Sequence, residues 1–467
     1  MAGNRYLIDS AAIRGAEAVR VTVEAQVERG IPGMTLVGVP ERQAADVRAR
    51  VRCALRSCGY EVPRSGMTVS VRPEVAQLDA AGIELPIAAA VLAASAQVPS
   101  EWFGGIVLAG GLGLDGEALP IRGTAAMQQL AAQAGKTLVT SNRSQFVDGA
   151  GSAAGIASIG DLRAGKSGTE VPEWESPGPA PSLDYADVPG CAPAKRALTI
   201  AAAGGHGILL VGPHGCDKSR LARRLPTILP KMDERTTREA VRVHSIADRD
   251  AASVATARPP LRAPGHAASA AALIGGGRPV RPGEVSLAHG GVLFLEDIQE
   301  FNPAPLNMLR HVLRDGEARL VRASGAYNLP ATCLVAASCT PCPCGYLGER
   351  GVECACSPAA IERHRAALVR AIGGLVQVCA EVGRSGDGDT ASSAQMREQV
   401  ERARAFAAKR GRGCDITAAA QDALTRHRMR SGSWKVLEVA RTIADIDESA
   451  AVEERHVVEA LTLAPRF

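Results

Sequence analysis

A phosphate-binding loop in the middle of the chain constrains its fold more than any other feature. The residues from Ile208 to Arg220 read ILLVGPHGCDKSR, an apolar run followed by a glycine-rich turn and a Lys-Ser pair. This is the frame of a Walker A loop, in which backbone N–H groups surround phosphates while the Lys and Ser side chains reach phosphate and Mg²⁺. We therefore predict a strand, a loop and a helix that form the frame of a site for ATP and Mg²⁺. The predicted nucleotide-binding residues are Gly212, Pro213, His214, Gly215, Cys216, Asp217, Lys218 and Ser219.

One position of this loop departs from the pattern. In the expected G-x-x-x-x-G-K-[ST] the residue before the lysine is glycine, but here it is Asp217. A carboxylate adds bulk and a charge of the same sign as the phosphates. The repulsion between two such charges is on the order of 4 kcal/mol at a separation of about 4 Å and an effective dielectric constant of about 20. The chain retains the Lys and Ser of the motif as Lys218 and Ser219, which favours phosphate binding. A helix N-terminus also attracts anions by itself. Whether nucleotide binds is thus left open.

A second acidic motif follows downstream, where residues 290–300 read GGVLFLEDIQE. A buried apolar strand that ends in two carboxylates is the Walker B arrangement, in which one acid orders the hydration shell of Mg²⁺ and the next polarises the attacking water. Many strands end in acids, but the position downstream of the loop favours this role. Glu296 and Asp297 are therefore candidate catalytic residues.

Composition narrows the class of protein. A chain of 467 residues with 46% hydrophobic and 22% charged residues is typical of a globular protein with more than one domain. Its formal net charge of +4 permits contact with DNA without arguing for it. No stretch approaches the roughly 20 apolar residues that span a bilayer, and the start of the chain lacks a secretory signal. We expect a cytoplasmic protein with reduced thiols and no membrane contact.

Strand and helix patterns predict an α/β protein and divide the chain into several segments. Residues 1–164 alternate strand and helix patterns and predict an α+β domain, and residues 165–182 are rich in Gly, Pro and Ser and predict a linker. Residues 183–382 combine the loop with further apolar strands, which predicts a three-layer α/β module. A second linker is predicted at 383–395, and helices fill residues 396–467.

Individual elements of the first domain have clear periods. Apolar residues alternate over residues 18–28, which predicts a strand, and residues 42–57 have the period of a helix. Residues 106–119 read IVLAGGLGLDGEAL and predict one hairpin that turns at Asp115-Gly116.

Several stretches together resemble one family. They are GIPGMTLVGVPE at 30–41, ELPIAAAVLAAS at 84–95, TIAAAGGHGILLVGP at 199–213, IGGGRPVRPGEVSLAHGGVLFLED at 274–297, PCPCGYLG at 341–348 and VARTIADID at 439–447. With this set, the chain resembles the magnesium-chelatase-like competence AAA+ proteins of the ComM/YifB type along nearly its whole length. The resemblance implies a Lon-like α+β N-terminal domain, an AAA+ P-loop module and a C-terminal helical lid. It also implies self-association into a hexameric ring that moves along DNA in natural transformation.

The resemblance assigns roles at the nucleotide site, and some positions depart from the family. The family loop resembles GPPGTGKT where this chain has GPHGCDKS, and the family strand ends LFLDE where this chain has LFLED. By this match Glu296 takes the Mg²⁺ position together with Ser219, and Asp297 takes the position of the catalytic base. The swap moves each carboxylate by about one methylene, which disturbs the alignment of the attacking water. The family's sensor asparagine becomes Thr340, whose hydroxyl also orients water.

Two arginines of the family are also replaced. The family segment LLDRIDLHVEV appears here as IGGLVQVCAEV, so Leu375 stands where the resemblance implies an arginine that acts on a neighbouring subunit. Loss of such an arginine costs about 10³ to 10⁵ in rate in related chemistry. The family arginine of the lid aligns with Ser431, although Arg430 lies beside it.

The Lon-like domain carries no peptidase dyad by the same match. A Lon-type peptidase needs a serine nucleophile with a lysine base. The serine would fall near Gly82 and the lysine near Ala125. We therefore expect no peptidase activity from this domain.

Four cysteines lie close together in a Cys-rich insertion at residues 341–357. Two Cys-x-Cys pairs bracket about nine residues and supply four thiolates, for which zinc is the natural ion. The spacing is tighter than the common C-x₂-C, so a reduced exposed loop is the alternative. The predicted zinc ligands are Cys342, Cys344, Cys354 and Cys356.

The changes at the nucleotide site point in one direction. We expect an AAA+ protein that is impaired in ATP hydrolysis and acts as a structural or regulatory ring subunit in DNA processing. The alternative is an active ATP-driven hexameric DNA motor for branch migration or recombination. A mixed ring, in which an intact paralogue supplies the missing arginine, and a gene product without a retained function also stay open.

Overall fold

The structure is a computed structural model that describes most of the chain. The described residues are 5–28, 30–74, 82–164, 183–323, 325–349, 351–383, 388, 390–411, 413, 415–428 and 436–465. The predicted linker at 165–182 lies outside the described residues, as do Arg430, Ser431 and part of the predicted linker at 383–395.

The described residues up to 164 alternate strands and helices. The strands are β1 (Arg5–Arg14), β2 (Glu17–Glu28), β3 (Gly33–Val37), β4 (Gly66–Arg72), β5 (Ile106–Leu108), β6 (Gly111–Leu112), β7 (Ala118–Leu119), β8 (Thr137–Ser141) and β9 (Ala153–Ile156). The helices are α1 (Glu41–Ser57), α2 (Glu84–Ala94) and α3 (Thr124–Gln133). A four-stranded sheet has the order β1-β2-β4-β3, and β5, β8 and β9 form a parallel sheet in the order β5-β8-β9.

Local periodicity explains these elements. The predicted strand at residues 18–28 and helix at residues 42–57 are confirmed as β2 and α1. Alternate residues of β2 are buried, and α1 buries a stripe at helical spacing. Helix α2 is buried on every residue because all of its residues except Glu84 are apolar, and Glu84 pairs with Arg50 and accepts the Leu112 N–H.

The hairpin predicted over residues 106–119 is wrong in its first arm. Strand β5 pairs in parallel with β8, and the antiparallel pair is the short β6–β7, with Gly111 opposite Leu119. Gly116 adopts a φ of +89° in the turn, as the Asp-Gly signal indicates. The period of an apolar run indicates a strand but does not determine which strand it pairs with. Here the chain crosses over through α3, so that β5 pairs in parallel with β8.

The following residues form the predicted α/β module. Its strands are β10 (Ile208–Val211), β11 (Leu261–Arg262), β12 (Gly275–Gly276), β13 (Arg281–Pro282), β14 (Val292–Leu295), β15 (Glu317–Arg322), β16 (Gly325–Pro330), β17 (Leu334–Cys339) and β18 (Val378–Glu381). Its helices are α4 (Ala192–Gly204), α5 (Lys218–Arg224), α6 (Glu234–Ile246), α7 (Ala251–Ala255), α8 (Ala270–Ile274), α9 (Glu284–Leu287), α10 (Pro303–Asp315) and α11 (Pro358–Ile372).

Five parallel strands form the central sheet in the order β11-β14-β17-β10-β18. Successive residues of β10 face different cores, with Ile208 and Leu210 in one and Leu209 in the other. The sheet is therefore covered on both faces, and the three-layer α/β fold is confirmed. Strand β17 lies between β10 and β14, so the segments that follow these three strands meet at the carboxyl edge of the sheet.

The C-terminal part is mainly helical and packs on the module. Its elements are α12 (Ser393–Arg410), β19 (Asp415–Ile416), α13 (Ala418–Arg428), α14 (Val436–Ile446), β20 (Ala451–Val452) and α15 (Glu454–Thr462). Helix α12 begins three residues before the predicted start of the lid, with the Ser392 side chain capping it. Apolar residues of α12, α14 and α15 share one core with α4 and β10.

The first part also contacts the module directly. The Gly123 N–H donates to the Ser245 carbonyl of α6 at 3.0 Å, and the Ala125 N–H donates to the Ser245 hydroxyl at 3.1 Å. Ile13 and Ile246 belong to one buried cluster across this boundary. Ala125, the position matched to a Lon lysine, is therefore buried against α6.

Candidate nucleotide-binding site

The phosphate-binding loop follows β10 and precedes α5, as the motif predicts. Gly215 has a φ of +76°, a conformation that favours glycine. A Cβ on Gly212 would lie 2.2 Å from the carbonyl oxygen of Val382, so the loop approaches the chain after β18 too closely for a side chain. The two glycines that the chain keeps are thus the ones that the loop geometry requires.

Asp217 fits the loop without strain and has a charged partner. Its φ of −70° and ψ of 28° are open to L-residues, so the backbone does not require glycine at this position. Arg220 Nη1 donates to Asp217 Oδ1 at 2.8 Å. The like-charge repulsion expected from Asp217 is therefore reduced by the guanidinium, which stands three residues later on the first turn of α5.

Lys218 and Ser219 occupy the positions that the motif assigns to them. The buried Lys218 ammonium donates to the carbonyl oxygens of Gly212 and Pro213 at 2.7 and 2.6 Å. The Ser219 hydroxyl donates to the Glu296 carboxylate, and Arg223 lies 3.6 Å from the other Glu296 oxygen. The two predicted Mg²⁺ ligands, one from each motif, therefore lie in direct contact.

Asp297 has an uncommon backbone conformation. It follows β14 with a φ of +50°, which aspartate tolerates better than most residues. Its N–H donates to the Ser338 hydroxyl of β17 at 3.1 Å. The side chain lines a cleft beside the loop together with Thr340 and His214. The structure thus brings the candidate base to the edge of the loop.

Thr340 lies between the two motifs because β17 lies between β10 and β14. The side chain is 3% exposed, and among the described residues its Oγ1 has no hydrogen-bond partner. The His364 imidazole of α11 donates to the Thr340 carbonyl oxygen at 2.8 Å. The three predicted catalytic residues, Glu296, Asp297 and Thr340, are thus at one edge of the sheet.

Leu375, in the position matched to an arginine, lies at the amino edge of the sheet, opposite the carboxyl edge that carries the phosphate-binding loop. The Gly207 N–H, just before β10, donates to Gln377 Oε1 at 2.6 Å. Strand β10 separates this point from the loop by about 10 Å or more at about 3.3 Å per residue. Leu375 is buried in the core with Ile372 and Val376. A side chain at 375 is therefore remote from the loop of its own chain.

The cysteine-rich insertion places its four thiols together. Cys342 Sγ lies 3.4 Å from Cys344 Sγ and 3.7 Å from Cys354 Sγ, and Cys344 Sγ lies 3.6 Å from Cys354 Sγ. The ligand atoms of all four, Cys356 included, lie within 4.8 Å of one another. Zn–S bonds of about 2.3 Å give a tetrahedral edge of about 3.8 Å, so the sulfur distances fit this ion.

A backbone donor favours the thiolate form of one of these four sulfurs, that of Cys344. A hydrogen bond from the Tyr346 N–H lowers the pKa of the Cys344 thiol to about 6, and the Cys344 N–H lies 3.4 Å from Cys356 Sγ. The insertion also contacts the phosphate-binding loop, since a Cβ on Gly345 would lie 2.5 Å from Cδ2 of His214. The residues present therefore fit a zinc ion next to the nucleotide site.

Sequence reasoning missed two arginines at the site. Arg220, the partner of Asp217, is marked by a three-residue spacing that allows side-chain contact at the start of a helix. Arg363 of α11 lines the cleft with Asp297 and Thr340, and no local pattern connects it with the loop.

Comparison with known proteins agrees with this arrangement. Residues 184–389 match the family described as magnesium chelatase, subunit ChlI, and residues 23–143 match the family described as subunit ChlI of Mg-chelatase. Competence protein ComM of Haemophilus influenzae is 31% identical over 494 residues, which cover 97% of this chain and 96% of that protein. The chain belongs to the ComM/YifB-type magnesium-chelatase-like family.

Two further members of the family are similar over most of their lengths. The uncharacterized protein YifB of Escherichia coli is 30% identical over 490 residues, 98% of this chain and 96% of that protein. An uncharacterized protein of Mycobacterium tuberculosis is 33% identical over 455 residues, 93% of this chain and 90% of that protein. The α/β module with its P-loop is thus the module of a magnesium-chelatase-like AAA+ protein.

Across the part of the chain that the structure describes, no helix combines the length and the apolar character needed to cross a bilayer.

Proposed function

We propose that this chain binds a nucleoside triphosphate with Mg²⁺ at the P-loop, is impaired in hydrolysis, and acts as a structural or regulatory subunit of a ring in DNA processing. One observation carries the proposal: an intact phosphate-binding frame stands in the same module as a buried leucine at the position matched to the arginine. The frame supports binding, and Leu375 removes a charge that hydrolysis between subunits requires.

Each residue of the site has a role in this proposal. The loop N–H groups between Gly212 and Ser219 bind phosphate oxygens, and Lys218 exchanges its two loop carbonyls for phosphate. Ser219 and Glu296 would hold Mg²⁺, and the ion would neutralise charge on the phosphates. Asp297 and Thr340 orient water. The exchange of the two acids relative to the family places the shorter side chain, Asp297, at the base position. Its carboxylate therefore lies farther from the attacking water than a glutamate carboxylate would.

The wider role follows from the family. Its members resemble ring-forming AAA+ proteins, and one relative is named a competence protein. A subunit that binds nucleotide without rapid hydrolysis stabilises a ring interface without driving movement. We therefore infer self-association, contact with DNA through the ring, and a mixed ring with an intact paralogue as the assembly in which turnover is retained.

Hydrolysis and binding are measured separately in the deciding experiment. The purified chain and its Lys218→Ala variant are compared in phosphate release, and calorimetry measures ATP·Mg²⁺ binding to both. We expect binding to the natural chain alone and phosphate release no faster than the variant. Hydrolysis well above that of Lys218→Ala contradicts impairment. Failure of both proteins to bind ATP·Mg²⁺ contradicts the whole proposal.

An active ATP-driven DNA motor is the second candidate. The Asp217–Arg220 ion pair favours it, because the pair reduces one of the departures that argue against turnover. This function requires hydrolysis that DNA stimulates, and Asp217→Gly should raise the rate further. A mixed ring differs from both, since DNA-stimulated hydrolysis then appears only when the paralogue copurifies.

We also propose that Cys342, Cys344, Cys354 and Cys356 hold one zinc ion that supports the loop beside His214. Metal analysis of the purified chain should give about one zinc per chain, and Cys354→Ser should lower this content. Cys53→Ser, at an exposed cysteine remote in sequence from the cluster, is the matched control. A zinc content near zero in the natural chain leaves a reduced loop instead.

A further inference from the structure

A groove of about 240 Å³ lies in the first domain, outside the nucleotide site. It opens beside α1, at the amino ends of β3 and β4, and Met34, Leu55, Val62 and Met67 give it an apolar lining. Leu55 and Met67 are buried, while Met34 and Val62 are partly exposed. The groove therefore offers an apolar surface to a side chain that enters it.

A row of arginines borders the groove. Arg48, Arg52 and Arg56 all line it, and their spacing of four residues sets them on one side of α1 at intervals of about 6 Å. Arg48 pairs with the exposed Glu41 at 3.0 Å. Arg52 and Arg56 are exposed, and no ion pair or hydrogen bond of either side chain occurs in the part of the chain that the structure describes. Since no acidic side chain is among the described residues that line the groove, it selects an anionic ligand.

Strand β3 leaves an open edge beside the groove. The sheet order is β1-β2-β4-β3, so β3 is an outer strand, and within the described residues it pairs only with β4. The N–H and C=O groups on its outer side have no backbone partner in that part of the chain. Ile31, just before the strand, is 90% exposed, and Val37 at its end is 49% exposed. An uncovered outer strand with apolar side chains is a template for one more strand.

The lining decides between a peptide and a nucleic acid. Protein surfaces that bind DNA are polar, and those that bind a single strand stack its bases on aromatic side chains. Apart from Ser65, the described residues of this groove are apolar or basic, and none of them is aromatic. A peptide that adds a strand to a sheet edge instead gains main-chain hydrogen bonds there and fits its alternate side chains into pockets. The groove and the edge of β3 together therefore favour an extended peptide.

We propose that this groove binds an extended segment of a partner protein, with acidic side chains at alternate positions and a large apolar side chain on the same side. Alternate side chains of a strand lie about 6.6 Å apart on one face, close to the interval of about 6 Å between the arginines. Carboxylates would pair with Arg52 and Arg56, while the apolar side chain packs on Met34 and Met67. This inference goes beyond the proposed function, because no residue of the nucleotide site takes part.

Fluorescence polarisation tests the inference with a labelled peptide, Ser-Glu-Ser-Glu-Ser-Leu-Ser, in which both acids and the leucine share one side of an extended chain. The full chain should bind it, and Arg52→Gln and Arg56→Gln should each weaken binding by about two- to fivefold, as expected for an exposed ion pair. Reversal of both charges, Arg52→Glu with Arg56→Glu, should abolish this binding and create binding to a probe with lysine in place of glutamate. The matched control is Arg50→Gln, because Arg50 lies on the other side of α1, where its Nη1 is 3.3 Å from Glu84 Oε1.

Each outcome supports or overturns the inference. Failure of the natural chain to bind the acidic probe overturns it, as does equal binding of a probe whose two glutamates are adjacent and so face opposite sides. A charge-reversed chain that unfolds like the natural chain but does not bind the lysine probe also overturns it. Equal loss of affinity for labelled duplex DNA in Arg52→Gln assigns the groove to nucleic acid instead, and a changed oligomeric state of that variant assigns it to a second copy of this chain. Binding of ADP·Mg²⁺ should be the same in every variant, so failure of the proposed nucleotide function leaves this inference standing.

Discussion

The two edges of the five-stranded sheet carry polar groups of different kinds. At the carboxyl edge Thr340 Oγ1 lacks a partner among the described residues and Lys218 bonds only to loop atoms. At the amino edge the polar groups satisfy one another: His289 Nε2 lies 3.1 Å from Glu239 Oε2, and its Nδ1 accepts the Thr332 N–H at 3.1 Å. The difference supports the placement of the proposed nucleotide site at the carboxyl edge.

The departures from the family fall on both edges, with different consequences. Asp217 at the carboxyl edge is matched by Arg220 and keeps an ordinary backbone conformation. Leu375 at the amino edge is part of a core. The first change leaves the backbone geometry of the loop unchanged, whereas the leucine of the second change is packed in the core.

Restoring an arginine at the amino edge should have the largest effect. Leu375→Arg places an unpaired charge in the core, and we expect a loss of about 3 kcal/mol or more in the free energy of unfolding. Denaturant titration measures the loss. Leu375→Met is the control, with a loss of about 1 kcal/mol or less. Unchanged stability in Leu375→Arg would show that residue 375 reaches solvent.

The amino edge should also make stability depend on pH. Burial lowers the pKa of His289, and burial likewise lowers the pKa of His244. The unfolded chain therefore binds more protons below about pH 6.5, so stability is complete above that pH and falls as the pH decreases through it. Each histidine contributes a slope of up to about 1.4 kcal/mol per pH unit.

Unfolding measured between pH 8 and pH 5 tests this dependence. His289→Gln should reduce the slope of the free energy of unfolding against pH by the contribution of up to one proton, because glutamine does not titrate. His266→Gln changes an exposed histidine and should keep the slope. Equal slopes in the natural chain and His289→Gln would contradict the assignment to the amino edge.

The ion pair at the carboxyl edge should influence nucleotide affinity moderately. Arg220→Gln removes the partner of Asp217, so we expect ADP·Mg²⁺ to bind about fivefold more weakly, which corresponds to about 1 kcal/mol. In an Asp217→Gly background the same change should have little effect, because the carboxylate is absent. Calorimetry on the four proteins of this cycle measures the coupling, and additive effects would show that Arg220 does not shield Asp217.

The smallest expected effect is a gain in stability at the carboxyl edge. Thr340→Val replaces a buried hydroxyl that lacks a partner with a methyl group, and we expect a gain of about 0.5 to 1 kcal/mol without nucleotide. Thr332→Val on the surface near the amino edge is the comparison and should change stability little, since its N–H to His289 remains. A clear loss of stability in Thr340→Val would show that its hydroxyl is bonded within the fold.

Local spacing was sufficient to predict much of the molecule. The period of two at residues 18–28, the helical period at residues 42–57 and the glycines of the loop describe geometry within a few residues, where covalent connectivity limits the choices. The two Cys-x-Cys pairs also lie together as predicted, since one residue separates the cysteines of each pair and the four ligand atoms are within 4.8 Å of one another. Metal analysis distinguishes a bound zinc ion from the alternative, a loop of reduced thiols without metal.

The sequence by itself determined the loop frame, the acidic strand end and the family, since each depends on residues adjacent along the chain. Only the tertiary structure decided that β17 separates β10 and β14 and so brings Thr340 between the motifs, that Arg363 enters the same cleft, and that residue 375 lies at the other edge. The physical reason is that parallel strands are joined by crossovers, so their order depends on which layers of helix cover the sheet rather than on the spacing of any motif.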